Sequence, residues 1–469
     1  IILETRARTS QNAAAAAANR RKLLDQEKQA QNETRQEGEI NINDYEFDEA
    51  QRQAQQQKRN TAPVRRLSSG SGSIDLVGPL DYDLRFSVQE IITSVEADPL
   101  LGFGIVAGVE MTDLFENHRI RGTAFMRTDF ETNSFFAEYM NLTGRVDLGV
   151  QFNRSTLVGS LLNAPGSVVN FTKNELTPVL KYPLSHTTSL HLKPKLVNTR
   201  FTYKNDFSIP DTVESFWGGN AELVYDNSVI TGVNQREGTR FKVGILSLKG
   251  VESSQGNFNK LYVDFRHYLK IHRQIILATH VSYGTFFGNS KKKFLIGGMD
   301  NWLLADEAEE AELNDVQINS PADLFYLEYI TPLRGFNFNV RSGSRHLLAN
   351  AELRIPIVQY LYNGPIASGF FRNLQLTAFA DAGSAYSGAN PFSGNNSINT
   401  RVTGGTSDPL NVDPFDITVI NYRNPFLLGY GVGARTTLLG VYGKLDVAWG
   451  EAEDNRVGPK FYVTLGYDF

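Results

Sequence analysis

The chain has 469 residues, 46 Lys and Arg against 51 Asp and Glu, a formal net charge of −5, and no cysteine. That balance offers no basic field for nucleic acid, and the absent thiols exclude a disulfide scaffold and a cysteine nucleophile. Mean hydropathy is −0.29 and no run of about 18 apolar residues occurs, so no transmembrane helix is expected.

The sequence opens Ile-Ile-Leu-Glu, without a methionine or a signal peptide, and is read as a processed chain or the C-terminal part of a longer one. Residues 1–78 are read as a low-complexity linker or partner-binding arm. They hold the run Ala13–Ala18, many Gln and Asn, the stretch Ser68-Ser-Gly-Ser-Gly-Ser73, and few aromatics beyond Tyr45 and Phe47. Such composition cannot bury much apolar surface, so the arm is expected to be partly helical near residues 10–35 or to fold on a partner. The triplet Arg20-Arg21-Lys22 reads as a solvated face.

From about residue 82 the texture changes to strict alternation. A first strand is expected over Tyr82–Ser94, with Pro99 soon after it. Next, Leu101, Phe103, Ile105, Ala107, Val109 and Met111 alternate with Gly102, Gly104, Val106, Gly108, Glu110 and Thr112. A period of two over a dozen residues is a strand with unlike faces. The pattern recurs over 146–153, 261–270, 275–284 and 441–449, where Leu445 and Val447 alternate with Lys444, Asp446 and Ala448. The barrel is taken as residues 79–469; from residue 82 to 469 we count about fourteen clear segments and two vague ones, the vague pair lying between 155 and 235, and we take an even total of about sixteen.

Alternation alone also fits a soluble sandwich or propeller. Length separates them, because soluble strands usually stop at about five or six residues whereas a tilted membrane strand needs about 9–11. The expected fold is therefore all-β: a closed antiparallel transmembrane barrel with a long inward-folded loop and an irregular N-terminal arm. Its partner is outer-membrane lipid, and the 40 Gly, 30 Phe and 19 Tyr suit that surface. The last strand is expected over Lys460–Phe469, interrupted upstream by Gly458-Pro459. Phe461, Val463, Leu465, Tyr467 and Phe469 would share the lipid face, and Tyr82, Phe86, Phe461 and Phe469 would mark the seam.

The region 294–386 resembles the BamA-like surface-antigen superfamily of bacterial outer-membrane insertases and two-partner secretion transporters. The residues that carry the resemblance are Phe294-Leu-Ile-Gly297-Gly298, Pro332-Leu-Arg334-Gly335-Phe336, Asn350-Ala-Glu352-Leu-Arg354-Ile-Pro356 and Phe379-Ala-Asp381-Ala-Gly383. The terminal phenylalanine resembles the assembly signal of such barrels. The resemblance implies a plug loop over 297–343, with Gly297 and Gly298 at its base and Arg334, Gly335 and Phe336 at its tip. It implies that Arg334 pairs with Glu352 and Asp381 on the inner wall. Parity agrees independently: Leu347, Ala349, Ala351, Leu353 and Ile355 form one face of their segment, so Glu352 points inward, and Leu374, Leu376, Ala378 and Ala380 do the same for Asp381. A guanidinium can fork onto carboxylates in a way lysine cannot. Two departures stand out. More than thirty residues separate Gly298 from Arg334 and include the acidic run Asp306–Glu312, read as a solvated helix, with calcium as the lesser alternative. The family's periplasmic domains have no counterpart pattern in the arm. The linker and the stretch around Trp302 look, more loosely, like Bacteroidetes-type proteins in which a TolB-like propeller precedes the barrel.

The seven histidines, at 118, 186, 191, 267, 272, 280 and 346, show no helical zinc spacing, and there is no phosphate loop or Gly-x-Ser-x-Gly elbow. No catalytic residue, metal ligand or cofactor is assigned; the pair Asp381 and His346 is better used as structure. Gly429, Gly431 and Gly433 face inward and are read as leaving room for the loop, with a flexible wall near a seam as the lesser alternative. Two functions fit. The barrel assists outer-membrane protein assembly or export, acting on other outer-membrane proteins. Alternatively it anchors, or is an accessory subunit of, a larger outer-membrane complex with its lumen plugged.

Overall fold

The computed structural model describes residues 64–67, 74–77, 82, 84–128, 130–160, 168–206, 208–252, 255–303, 305, 320–394, 396–403, 417–438, 440–453 and 455–469. The chain divides into two compact units, Ile1–Asp83 and Leu84–Phe469. In the first, β1 (Val64–Leu67) pairs antiparallel with β2 (Ile74–Val77), so the arm holds a small hairpin that its polar composition conceals. Its expected helix near 10–35 lies outside the described residues.

In the second unit the strands follow in order: β3 (Phe86–Asp98), β4 (Gly102–Asp113), β5 (His118–Arg127), β6 (Asn133–Asn141), β7 (Asp147–Ser160) and β8 (Val168–Pro183). Then come β9 (Thr188–Tyr203), β10 (Thr212–Asp226), the short β11 (Val229–Gly232), β12 (Gln235–Gly250), β13 (Asn257–His272) and β14 (Ile275–Gly288). After a long loop the wall resumes with β18 (Arg345–Ile355), β19 (Gln375–Tyr386), β22 (Leu427–Leu438), β23 (Val441–Ala452) and β24 (Asn455–Leu465). These strands, about 16 long ones plus β11, close into one antiparallel barrel in which β24 adjoins β3.

Length and face both suit a membrane wall. β8, β9, β12 and β13 each run 16 residues. Exposed Leu176, Leu180, Leu192 and Leu196 lie on the outer face of β8 and β9. Inside, Lys195 pairs with Glu175, and Lys193 with Glu222 at 2.6 Å. On β18 every second residue, His346, Leu348, Asn350, Glu352 and Arg354, is buried.

The loop between β14 and β18 carries its own small sheet. β15 (Phe294–Ile296) pairs in parallel with β16 (Glu328–Ile330) and antiparallel with β17 (Arg341–Gly343). A short helix, α1 (Pro321–Phe325), starts at a proline, and Asp323 accepts from the Ser320 N–H at 3.1 Å, satisfying a first-turn donor. Loop residues Ile296, Leu333 and Phe336 pack with wall residues Leu348, Ala385 and Leu427, and Met299, Trp302 and Phe338 pack with Phe379, Ala448 and Tyr462. The described part of the loop thus packs against the inner face of the wall that bears the resemblance. The acidic run Asp306–Glu312 lies outside the described residues. Two short helices, α2 (Ile357–Leu361) and α3 (Gly369–Arg372), connect β18 to β19, and β20 (Thr400–Thr403) pairs with β21 (Ile417–Ile420) between β19 and β22.

Three seam expectations change. Tyr82 precedes the first wall strand and is exposed, because pairing with β4 begins only at Phe86↔Asp113. Gly458-Pro459 does not interrupt the last strand: the β23–β24 register shifts between Ala448 and Gly450, and that bulge absorbs the proline's missing N–H. Phe469 is not on the lipid face. The strand ends at Leu465, Gly466 adopts φ +108°, and the chain turns inward so that the Phe469 ring packs 5.2 Å from His280 and under Arg354. At that same end the β11–β12 turn also folds inward. The Asn234 amide donates to Asp468 at 2.8 Å, and the Gln375 amide donates to the Val233 carbonyl at 2.7 Å.

Candidate functional site

Arg334 is the centre of the interior. Its route begins at the loop base, where Gly297 (φ +132°) and Gly298 (φ +74°) take left-handed conformations open to glycine. They bring the strand β15 alongside Leu333, whose N–H donates to the Gly298 carbonyl at 2.9 Å. The next residue is Arg334, 1 % exposed.

Its guanidinium is fully engaged. Nε and one terminal nitrogen fork onto Asp381 at 2.8 and 2.9 Å, and the other terminal nitrogen reaches Glu352 at 2.8 Å and Asp446 at 3.7 Å. The Arg334 backbone N–H also donates to Asp381, at 3.1 Å. The plane lies 3.4 Å from the Phe379 ring centre, a stacked cation on an aromatic face. Asn350 clasps the same turn, its amide donating to Asp381 and to the Pro332 carbonyl, both at 2.8 Å.

Around this fork lies a wider ionic cluster. Arg354 donates to Glu352 at 2.9 Å, and Arg435 forks onto Asp446 at 2.6 and 3.0 Å while its Nε reaches Asp468 at 2.9 Å. Lys444 stands 3.3 Å from Asp468. Four cations (Arg334, Arg354, Arg435, Lys444) face four carboxylates (Glu352, Asp381, Asp446, Asp468), so the buried charge balances. Asp468, beyond the end of β24, is held well below the usual carboxylate range. Burial pushes its carboxyl up, but Arg435, Lys444 and Arg354 together outweigh that.

The tip is fixed to the last strand. The Gly335 N–H donates to the Tyr462 hydroxyl at 2.8 Å, and that hydroxyl donates to the Phe336 carbonyl at 2.8 Å. Gly335 sits at φ +93°, and a Cβ there would come within 2.5 Å of the backbone at Trp449 and Gly450. Gly429 on β22 abuts the Arg334 carbonyl so closely that it too admits no side chain.

The five tip and partner residues named from sequence, Arg334, Gly335, Phe336, Glu352 and Asp381, come together here. Of the seam residues, Phe86 and Phe461 lie on β3 and β24, the strands that adjoin at the closure, whereas Tyr82 precedes β3 and Phe469 lies in the interior. Sequence reasoning missed Arg354, Arg435, Asp446, Asp468 and Tyr462 as members. The signal was available as parity: Arg354 shares a face with Glu352, Asp446 with Lys444, and Arg435 continues the inward face of Gly429, Gly431 and Gly433. Among the described residues no group of three His, Asp or Glu side chains converges as a metal site. Asp381 is bound to Arg334 and Asn350, and His346 to the Ser282 hydroxyl at 3.0 Å, so each is engaged in structure.

The chain matches the Omp85 superfamily domain over residues 220–469. No match is found among curated protein sequences. Among solved structures, BamA from Haemophilus ducreyi lacking POTRA domains 1–3 is similar with a TM-score of 0.51 at 12 % identity, over 87 % of this chain and 76 % of that one. CdiB from Acinetobacter baumannii matches with a TM-score of 0.45 at 13 % identity, over 84 % of this chain and 60 % of that one.

Proposed function

This chain belongs to the Omp85 superfamily, as a barrel of the bacterial outer membrane, and from that premise we propose that it assists the assembly or export of other outer-membrane proteins. The observation that carries the reading is the link between the Arg-Gly-Phe tip and the last strand. Tyr462 holds both Gly335 and Phe336, so the clamped tip and β24 form one unit beside the junction where the barrel closes. A strand edge at such a junction presents N–H and C=O groups that can template an incoming strand. In this reading Arg334, Glu352 and Asp381 act as a staple that keeps the plug loop and β24 in register, and their effect on transport is indirect. No step is catalytic.

Depleting the protein in its native cell and quantifying outer-membrane proteins by mass spectrometry tests this. Other barrels, or one exported protein, should fall in the outer-membrane fraction. Unchanged levels under full depletion would remove the reading.

The packing of the loop against the inner wall favours a second role, an anchor or accessory subunit with a plugged lumen. Its mark would be a complex that purifies intact with the chain and dissociates when residues 1–78 are trimmed. The looser likeness to Bacteroidetes-type proteins adds a propeller upstream as the domain so anchored.

A further inference from the structure

The barrel closes where β24 adjoins β3. Neighbouring strands run in long registers, as from Phe86↔Asp113 to Asp98↔Gly102 between β3 and β4. In an antiparallel strand, alternate residues send their N–H and C=O to the same edge. Gly466 donates to the Tyr442 carbonyl, so that parity faces β23, and the carbonyls of Phe461, Val463 and Leu465 face the other way, toward the closure.

All three of those carbonyls are occupied by one tripeptide of the long loop. Trp302 Nε1 donates to the Phe461 carbonyl at 3.1 Å, Leu303 N–H to that of Val463 at 2.9 Å, and the Asn301 amide to that of Leu465 at 3.0 Å. Trp302 also stands opposite Thr464 in an antiparallel bridge. The tripeptide therefore lies along β24 as an added strand. Asn301 reaches the first strand as well: the Ala97 N–H donates to its Oδ1 at 2.8 Å, and its amide approaches the Val95 carbonyl at 3.5 Å. Asn301 takes φ +53°, a conformation asparagine tolerates. The Trp302 ring is 2 % exposed and packs 4.5 Å from Tyr462, the residue that also holds the Arg-Gly-Phe tip.

We propose that Asn301–Leu303 is a built-in strap: it occupies the pairing edge of β24 and stitches that edge to β3, so an extended peptide can pair with β24 only once the strap has left. The strap comes from the insertion that separates Gly298 from Arg334, so it is a device of this chain's own loop. It rests on the proposed function only for what the incoming segment would be in the cell.

The test uses the full chain in detergent micelles and a fluorescein-labelled dodecapeptide of alternating Val and Thr as the strand probe, read by anisotropy. Two variants loosen or lock the strap. Asn301→Ala removes both ties to β3 and the one to the Leu465 carbonyl, so that Trp302 and Leu303 alone hold the strap on β24, and it leaves the Arg334 clamp untouched. The double variant W302C/T464C places a disulfide across the antiparallel bridge, where opposed Cα atoms lie about 4.5–5.5 Å apart, within reach of S–S geometry. The chain has no cysteine of its own, so no other bridge can form within it. The expected result is at least tenfold tighter probe binding by Asn301→Ala than by the wild type. The oxidised double variant should not bind and should bind once reduced. Equal binding by the oxidised and reduced forms, or by Asn301→Ala and wild type, overturns the strap. Should Asn301→Ala fail the heat-modifiability check for a folded barrel, the redox pair decides alone. Probe binding gated by the strap in a chain whose depletion changes no outer-membrane protein would remove the proposed function and leave the strap standing.

Discussion

Replacing Arg334 with alanine should unbalance the barrel interior in a way that can be followed carboxylate by carboxylate. Glu352 would keep Arg354 at 2.9 Å and Arg435 at 3.5 Å, and Asp446 would keep Arg435 at 2.6 Å. Asp381 would keep only the Asn350 amide at 2.8 Å, because its three other bonds all come from Arg334. The deficit therefore concentrates on Asp381, 2 % exposed, as one buried charge without a counter-ion. Removing one partner of a buried pair costs about 3–5 kcal/mol, roughly two to four decades in the folding equilibrium. Urea unfolding of the purified barrel in detergent micelles, followed by heat-modifiable gel migration, measures this directly. Arg334→Lys keeps the charge but not the fork, so it should fall between alanine and wild type. The decisive variant is the double, Arg334→Ala with Asp381→Asn. Neutralising the stranded carboxylate should return a good part of the loss, giving a coupling well outside additivity. Wild-type resistance in Arg334→Ala, or no recovery in the double variant, would refute the view that Arg334 exists to neutralise Asp381.

Three further outcomes follow from the same geometry. Gly335→Ala, which drives a Cβ into the Trp449–Gly450 backbone at φ +93°, should displace the tip and lower stability by more than 1 kcal/mol; protease sensitivity of the loop checks it. Tyr462→Phe removes the hydroxyl shared by Gly335 and Phe336 and leaves a buried donor and acceptor unmet, at a cost of about 1–3 kcal/mol, read in the same urea titration. Asp468 has a folded-state pKa below its unfolded one, so its contribution is complete above the ordinary carboxylate value of 3.8 and is lost as pH falls through the lowered value. Asp468→Asn should therefore be less stable than wild type at neutral pH, and the gap should narrow on acidification below 3.8.

Much of the wall was legible because a sheet with lipid on one side and a polar interior on the other keeps a two-residue period over strands longer than soluble ones. Glu352 and Asp381 could be turned inward from their apolar neighbours alone. The stretch from 155 to 235 was vague for a related reason. Its inner face is built from ion pairs such as Lys193 with Glu222, and Pro178 and Pro194 sit within β8 and β9 on the outer side, so apolar alternation is diluted by residues that usually mark loops. Phe469 misled because parity was extended past Gly466, where the strand stops and Asp468 is drawn to Arg435 and Lys444. Asn301 and Trp302 carried no period to read. Their role depends on meeting strands some two hundred and some one hundred and sixty residues away, at Val95 and Leu465, and separations of that kind leave no trace in local pattern.

The inward β11–β12 turn has a mechanical consequence. A thin-walled cylinder deforms most easily by ovalising, since that changes the angles between its staves without stretching the hydrogen bonds that join them. Asn234 and Val233 tie β12's turn to Asp468 at the end of the chain and to Gln375 on a different stave, while the Arg354 side chain reaches the Asn234 carbonyl at 3.4 Å. These bonds act as spokes across one rim. That rim must stay round, and any widening of the wall has to hinge from it and grow toward the opposite mouth.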